Sequence, residues 1–296
     1  MNRFEILKKN KWRYISFIIG FLLLVSPFAL LIRLEFWITG NLAEPSIHYA
    51  CLRMVIGWIF QGAVNSLISS PEMTAFIIGV LGISLFLGPI FCGWLCPVGA
   101  VSEAISRIIP LPNKFRIHIK DTNITSALRY GFFVGYITIY ILIGLRLSGD
   151  WIGSICCRFC ASTILQNLAA GIFGWLLPTY GSIEYWGTAY IIVLISWLII
   201  GGIFTHGGRG WCLFFCPLGA FSNLLYKVGA KLGFYRITYN KDKCSHCKKC
   251  YLVCPMWAIK SDHSVETALC INCKECVNIC PTGAFTMKWG KENAIK

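Results

Sequence analysis

Hydrophobic and polar positions along this chain fall into long blocks, not short alternations. An uncharged run from Tyr14 to Ile32 follows a basic N-terminal segment and is long enough to cross a bilayer. Pro27 within it predicts a kink. A second uncharged stretch, Met73 to Ser102, holds a span over Thr74–Ile90 and then breaks into the turn-rich FCGWLCPVGAVSEAI. A third span is predicted over Tyr130–Leu145, short but extended by snorkelling of Arg129 and Arg146. A fourth runs over Gly187–Thr205. Two weaker apolar stretches are broken by polar residues. Cys51–Ile68, with Arg53, Gln61 and Asn65, reads as an amphipathic helix at the membrane surface. The stretch 159–183, with Gln166, Asn167 and Pro178, reads as interfacial or re-entrant. Beyond Phe234 the pattern changes to short polar loops rich in cysteine. The expected fold is an α-helical polytopic membrane domain of four transmembrane helices over residues 1–233, followed by a small α+β domain over 234–296.

Composition supports the membrane reading. Hydrophobic residues make up 56% of the chain and charged residues 14%, against about 25% charged in soluble domains. The net charge of +14 does not point to nucleic acid, because membrane proteins gather Lys and Arg in their cytoplasmic segments. With the N-terminus inside, 23 of the 27 basic residues fall on the inner side, and only Arg33, Arg53, Arg146 and Arg158 fall outside. That asymmetry predicts a prokaryotic cytoplasmic membrane protein with both termini in the cytoplasm. No cleavable signal peptide is expected, since the first apolar run continues through Pro27 without a small-residue cleavage site.

Sixteen cysteines add the chemistry. CSHCKKCYLVCP and CINCKECVNICP each read C-x2-C-x2-C-x3-C-P, the run that holds a [4Fe–4S] cluster and lends its fourth cysteine to the neighbouring one. The spacing therefore assigns Cys244, Cys247, Cys250 and Cys280 to one cluster, and Cys254, Cys270, Cys273 and Cys276 to a second. The small domain is thus expected to be a two-cluster bacterial ferredoxin. Zinc is the competing reading, but a tetrahedral zinc needs two cysteine pairs, not two runs of four closed by Pro255 and Pro281. Clusters of this kind are built in reducing compartments, so this end should face the cytoplasm.

An internal repeat adds a third candidate site. FCGWLCPVGAVSEAI and GWCLFFCPLGAFSNLL share C-x3-C-P-[VL]-G-A-[VF]-S, 120 residues apart. Cys92, Cys96, Cys212 and Cys216 can pack inertly, hold a further iron–sulfur cluster, copper or zinc, or form a dithiol pair. Gly93, Gly99 and Gly219 would allow close backbone approach. The last four cysteines, Cys51, Cys156, Cys157 and Cys160, fall on the outer side in this topology. Disulfides or simple packing suit them there, and a fourth cluster completing a relay across the membrane is the sharper alternative. His48 and His206 lie near membrane ends and suit either haem ligation or a quinol proton, or mere hydrogen bonding; His118, His246 and His263 are expected to be solvated. No nucleotide-binding motif is present in the sequence.

The two C-x3-C-P turns at Cys92–Pro97 and Cys212–Pro217, the four spans and the C-terminal double ferredoxin resemble the NapH-type membrane ferredoxins, over Thr74 to Pro281. The resemblance implies the membrane component of a quinol dehydrogenase. Relatives of the same core include NosR, MauN and a copper reductase of cytochrome oxidase assembly. It implies an iron–sulfur protein passing electrons between the quinone pool or a cytoplasmic donor and a partner at the outer face. A thiolate-dependent copper reductase and a maturation or redox-sensing accessory protein are the alternatives. The CCRFC turn at Cys156–Cys160 departs from the quinol dehydrogenase pattern.

Overall fold

The computed structural model describes residues 8–25, 27–40, 64–69, 71–109, 111–149, 160–173 and 189–290, with isolated positions between 55 and 59. The described part is mostly helical. In chain order it contains α1 (Lys11–Leu24), α2 (Leu30–Thr39), α3 (Val64–Ser69), α4 (Pro71–Leu87), α5 (Pro97–Ile108), α6 (Thr122–Gly144), α7 (Ala161–Phe173) and α8 (Ala189–Leu194). It continues with α9 (Gly210–Phe214), α10 (Pro217–Leu232), β1 (Arg236–Tyr239), α11 (Lys249–Val253), α12 (Glu275–Ile279) and β2 (Phe285–Lys288). Helix α8 runs on as a π-helix over Ile195–Phe204, and a π-turn over Phe91–Leu95 links α4 to α5.

Among the described residues one helix, α6, is long and apolar enough by length and composition to cross a membrane. It begins eight residues before the predicted start at Tyr130, because the Asp121 side chain caps it by accepting from the Asn123 N–H at 2.8 Å. Arg129 does not snorkel as expected: it is 1% exposed. The first predicted span is divided. Its chain leaves helix at Val25 and re-enters it at Leu30, around Pro27, giving pieces of 14 and 10 residues. Met73–Leu87 and Ile191–Phe204 are apolar but shorter. Helix α4 stops where Gly88 takes φ +82° ahead of Pro89. Most of the predicted surface helix Cys51–Ile68 lies outside the described residues.

The two repeat halves pack crosswise. Helix α10, which follows the second C-x3-C-P turn, lies on α4 of the first half; α5, which follows the first turn, lies on the π-helix of the second. The C-terminal part is α+β, with β1 and β2 antiparallel and Arg236 opposite Lys288. Its core is continuous with the helical part. Ile77, Val80 and Phe91 belong to the same buried cluster as Met256, Trp257, Leu269 and Phe285. The α+β segment is therefore seated on the helices at the level of the cysteine turns.

Candidate metal centres

The two cysteine runs close into two separate pockets. Cys254, Cys270, Cys273 and Cys276 line one of ≈ 320 Å³, with Ile237, Met256, Ile259 and Val265 completing an apolar wall. Cys244, Cys247, Cys250 and Cys280 line the other, with ≈ 270 Å³ of empty space. Each run thus sends its fourth cysteine to the opposite pocket, the division that the spacing predicts. The backbone repeats as well. His246 and Asn272, Lys248 and Lys274, and Trp257 and Gly283 occupy equivalent positions, and all six take positive φ. Five of these are not glycine, and each left-handed residue costs about 1–2 kcal/mol. That strain turns N–H groups onto sulfur. The Ala258 N–H donates to Cys254 Sγ at 3.3 Å, and Ala284 to Cys280 Sγ at 3.3 Å. His246 and Asn272 donate to Cys244 and Cys270 Sγ at 3.4 and 3.5 Å. Four soft thiols with N–H groups aimed at sulfur fit an iron–sulfur cluster in each pocket.

The C-x3-C-P turns build a third group. Cys96 and Cys216 sit at the N-caps of α5 and α10, and Pro97 and Pro217 take the first helical position, where a missing N–H is harmless. The spacing shared by the two halves then puts Gly99 and Gly219 in the first turn. A Cβ on Gly99 would lie 3.3 Å from Cys212 Sγ, and one on Gly219 would lie 3.6 Å from Cys216 Sγ and 2.9 Å from Arg129 Nη2. Burial, with neighbouring thiols adding to it, pushes the Cys92 thiol up; burial also raises Cys212 to about 12 and Cys216 to about 11. A dithiol exchange pair needs the opposite shift, toward an accessible thiolate. A metal ligand does not, because coordination itself removes the proton.

This third group touches the buried ferredoxin pocket, not the exposed one. Trp94 Nε1 donates to the Asn272 carbonyl at 3.1 Å, and Asn223 Nδ2 donates to the Cys270 carbonyl at 2.7 Å. Beneath lies a buried ion network. Arg13 donates to both Glu103 oxygens at 2.7 Å and also to Glu275. Arg107 bridges Glu103 and Glu275, and Arg209 joins Glu103 Oε2 at 2.7 Å to the Cys92 carbonyl at 2.6 Å. Burial alone would raise the Glu103 carboxyl, but Arg13, Arg209 and Arg107 outweigh it and hold it well below the usual carboxylate range. Breaking such a network by removing one partner costs about 3–5 kcal/mol.

Several residues stand elsewhere than the sequence suggests. Cys160 does not lie at a separate outer site: it is a free thiol in the electrostatic neighbourhood of Cys216. The reason is that α7 folds back on α5, burying Ala161, Ile164 and Leu165 with Val98 and Trp197. Cys51, Cys156, Cys157 and His48 lie outside the described residues. His118 is not solvated. Ile117 pairs with Thr205, which stacks His118 on His206 at 4.9 Å, with Tyr251 and Trp257 at 4.9 and 5.1 Å. Burial, then the neighbouring His206 and Lys120, lowers His118 to about 4. His263 is buried too, against Tyr239, and its ring nitrogen, that of His246 and Cys244 Sγ lie within 4.8 Å of one another.

Comparison with known proteins agrees with this division. A family model described as a 4Fe-4S binding domain matches twice, over residues 70–118 and 188–235, so each match contains one C-x3-C-P turn. A 4Fe-4S dicluster domain model matches residues 243–285. The ferredoxin-type protein NapH of Haemophilus influenzae is 29% identical over 171 residues, 56% of this chain and 47% of that protein. Together these matches support a NapH-type ferredoxin family for this chain. The methylamine utilization ferredoxin-type protein MauN of Paracoccus denitrificans is 25% identical over 190 residues, 62% of this chain and 56% of MauN. The regulatory protein NosR of Pseudomonas aeruginosa is 25% identical over 185 residues, 61% of this chain and 22% of NosR. The match thus spans about half the length of the NapH and MauN relatives. No solved structure matches. The 4Fe-4S models and the ferredoxin-type relatives support iron–sulfur electron transfer.

Proposed function

We propose that this chain is a NapH-type, four-span membrane subunit that relays single electrons between the quinone pool or a cytoplasmic donor and a partner at the outer face. Its three thiol sets stand in one order: Cys244, Cys247, Cys250 and Cys280 nearest solvent, with Cys247 exposed; Cys254, Cys270, Cys273 and Cys276 all buried; and Cys92, Cys96, Cys212 and Cys216 at the C-x3-C-P turns. The observation that carries the reading is the junction of Trp94 and Asn223 with the Asn272 and Cys270 carbonyls, which joins the membrane turns to the buried pocket. Bound clusters would supply the one-electron chemistry; the chain supplies spacing, burial and N–H donors, the means by which a protein sets their potentials. Lys248 lines the pocket of the first set, and Lys241 and Lys243 are exposed just before Cys244 in the chain. Those charges suit an acidic electron carrier, which they would steer at low salt.

The charge asymmetry of the sequence supports both termini inside, and the wide outward-facing apolar surface of α1, α4 and α6 supports their contact with lipid. The half-buried His118–His206 stack, neutral near pH 7, suits a proton acceptor beside a quinol. The test is anaerobic reconstitution of the full-length protein in lipid, with the bleaching or recovery of cluster absorbance followed after addition of a short-chain quinol or quinone. Electron exchange that Cys92→Ser and Cys216→Ser abolish, while the ferredoxin signals persist, supports the relay. Exchange unaffected by either change rejects it.

A further inference from the structure

Two arginines flank the third thiol group in parallel. Arg209 approaches the Gly99 face and Arg129 the Gly219 face, and both are buried, 0% and 1% exposed. They differ in what they meet. Arg209 has its counter-charge in Glu103, at 2.7 Å. Among the described residues Arg129 has none: Nε, Nη1 and Nη2 are all buried and all without a hydrogen-bond partner. Its electrostatic neighbours are Tyr130 and the thiols of Cys216, Cys92 and Cys212. An isolated buried charge carries a penalty of several kcal/mol. Thirteen carboxylates are available in the chain, yet none of the described ones is placed against it. The guanidinium is aimed into the cysteine group, and Gly219 leaves room for it where a Cβ would press on Nη2 at 2.9 Å.

We propose that Arg129 is the built-in counter-cation of an anionic, thiolate-ligated iron–sulfur cluster held by Cys92, Cys96, Cys212 and Cys216. Four thiolates leave such a cluster net negative in both oxidation states, and more so when reduced. A fixed positive charge beside it therefore favours the reduced form and raises the potential. Arg129 is a positioning residue acting on that potential through space; its five-donor guanidinium also suits sulfur acceptors on several sides. This deepens the relay reading and depends on the four cysteines being ligands.

The test is iron quantitation and redox-poised paramagnetic resonance on the full-length protein, comparing wild type with Cys92→Ser, Arg129→Met, Arg129→Lys and Gly219→Ala. The expected result is a third signal that Cys92→Ser removes while both ferredoxin signals remain. Arg129→Met should cut the reduced-to-oxidised ratio of that signal at least tenfold at fixed potential, about 59 mV toward more negative values for one electron. Arg129→Lys should restore most of it, and the ferredoxin midpoints should stay put. If Arg129→Met does not accumulate, Gly219→Ala decides, since it displaces the guanidinium without removing the charge and should shift the same signal in the same direction by less. A third signal lost in Cys92→Ser but unmoved in both Arg129→Met and Gly219→Ala overturns the role of Arg129 alone. No third signal in wild type, or one indifferent to Cys92→Ser, overturns the ligand reading and this proposal with it.

Discussion

The two ferredoxin pockets have nearly the same backbone and opposite surroundings. Positive φ recurs at the same three places in each run, and each pocket collects four thiols. Yet Cys247 is exposed among lysines, while Cys254, Cys270, Cys273 and Cys276 are all buried beneath the helical part. One position shows how this arises. Lys249 and Glu275 each stand two residues after the second cysteine of their run. Lys249 is half-buried, whereas Glu275 is 0% exposed and bound by Arg13 and Arg107. The repeat builds a cradle twice; the reversed charge at this position goes with the copy that Arg13 and Arg107 clamp to the helical part.

The largest effects should come from breaking the buried copy. Cys270→Ser or Cys276→Ser should lose the iron of one cluster, and the thermal midpoint should fall sharply, since a buried unpaired hydroxyl alone costs about 1–3 kcal/mol. Cys247→Ser should lose the same amount of iron with a much smaller fall. Iron assays with thermal melts of both variants check this; equal destabilisation would erase the distinction.

Next in size is the clamp. Glu275→Gln removes one of the two carboxylates that Arg13 and Arg107 bind and should cost about 3–5 kcal/mol, as other broken buried pairs do. Lys249→Gln, at the matching position of the exposed copy, should stay within about 0.5 kcal/mol. Chemical denaturation in detergent compares the two.

A pH effect belongs to the buried side of the interface. His118 is lowered to about 4 in the folded protein by burial, then by His206 and Lys120; its unfolded value is about 6.5. The unfolded chain therefore binds the proton first as pH falls. The stability contributed by the neutral ring is complete above about pH 6.5 and is lost toward pH 4. Melts across that window should show the loss, and His118→Phe should flatten it. His206, also lowered by burial, leaves a residual slope.

The smallest structural effect lies at the exposed copy. Lys243→Glu with Lys248→Glu should leave the melt unchanged but slow reduction by an acidic carrier and remove its salt dependence, seen by stopped flow. Unchanged kinetics would leave those lysines without a docking role.

Local pattern reached some of this and tertiary packing the rest. Cysteine spacing sorted the eight ferredoxin thiols into the two sets that line the two pockets, because a three-residue spacing leaves the backbone few ways to wrap one centre. The C-x3-C-P repeat marked the Pro-started helices α5 and α10 for the same local reason. The location of Cys160 was not readable, since it depends on α7 folding back on α5. Neither was the Arg13–Glu275 pair, 262 residues apart, nor the stack of His118 on His206. Arg129 looked like a snorkelling residue at a helix end, because sequence shows its charge but not its neighbours.

By itself, then, the sequence determined what is local: which residues are apolar enough for a membrane, which cysteines share a loop, and where helices begin after proline. Only the tertiary structure decided which thiol set lies next to which, and which buried arginine is neutralised by a carboxylate and which faces sulfur. Those outcomes depend on contacts between segments more than 80 residues apart, and no spacing rule within one segment encodes them.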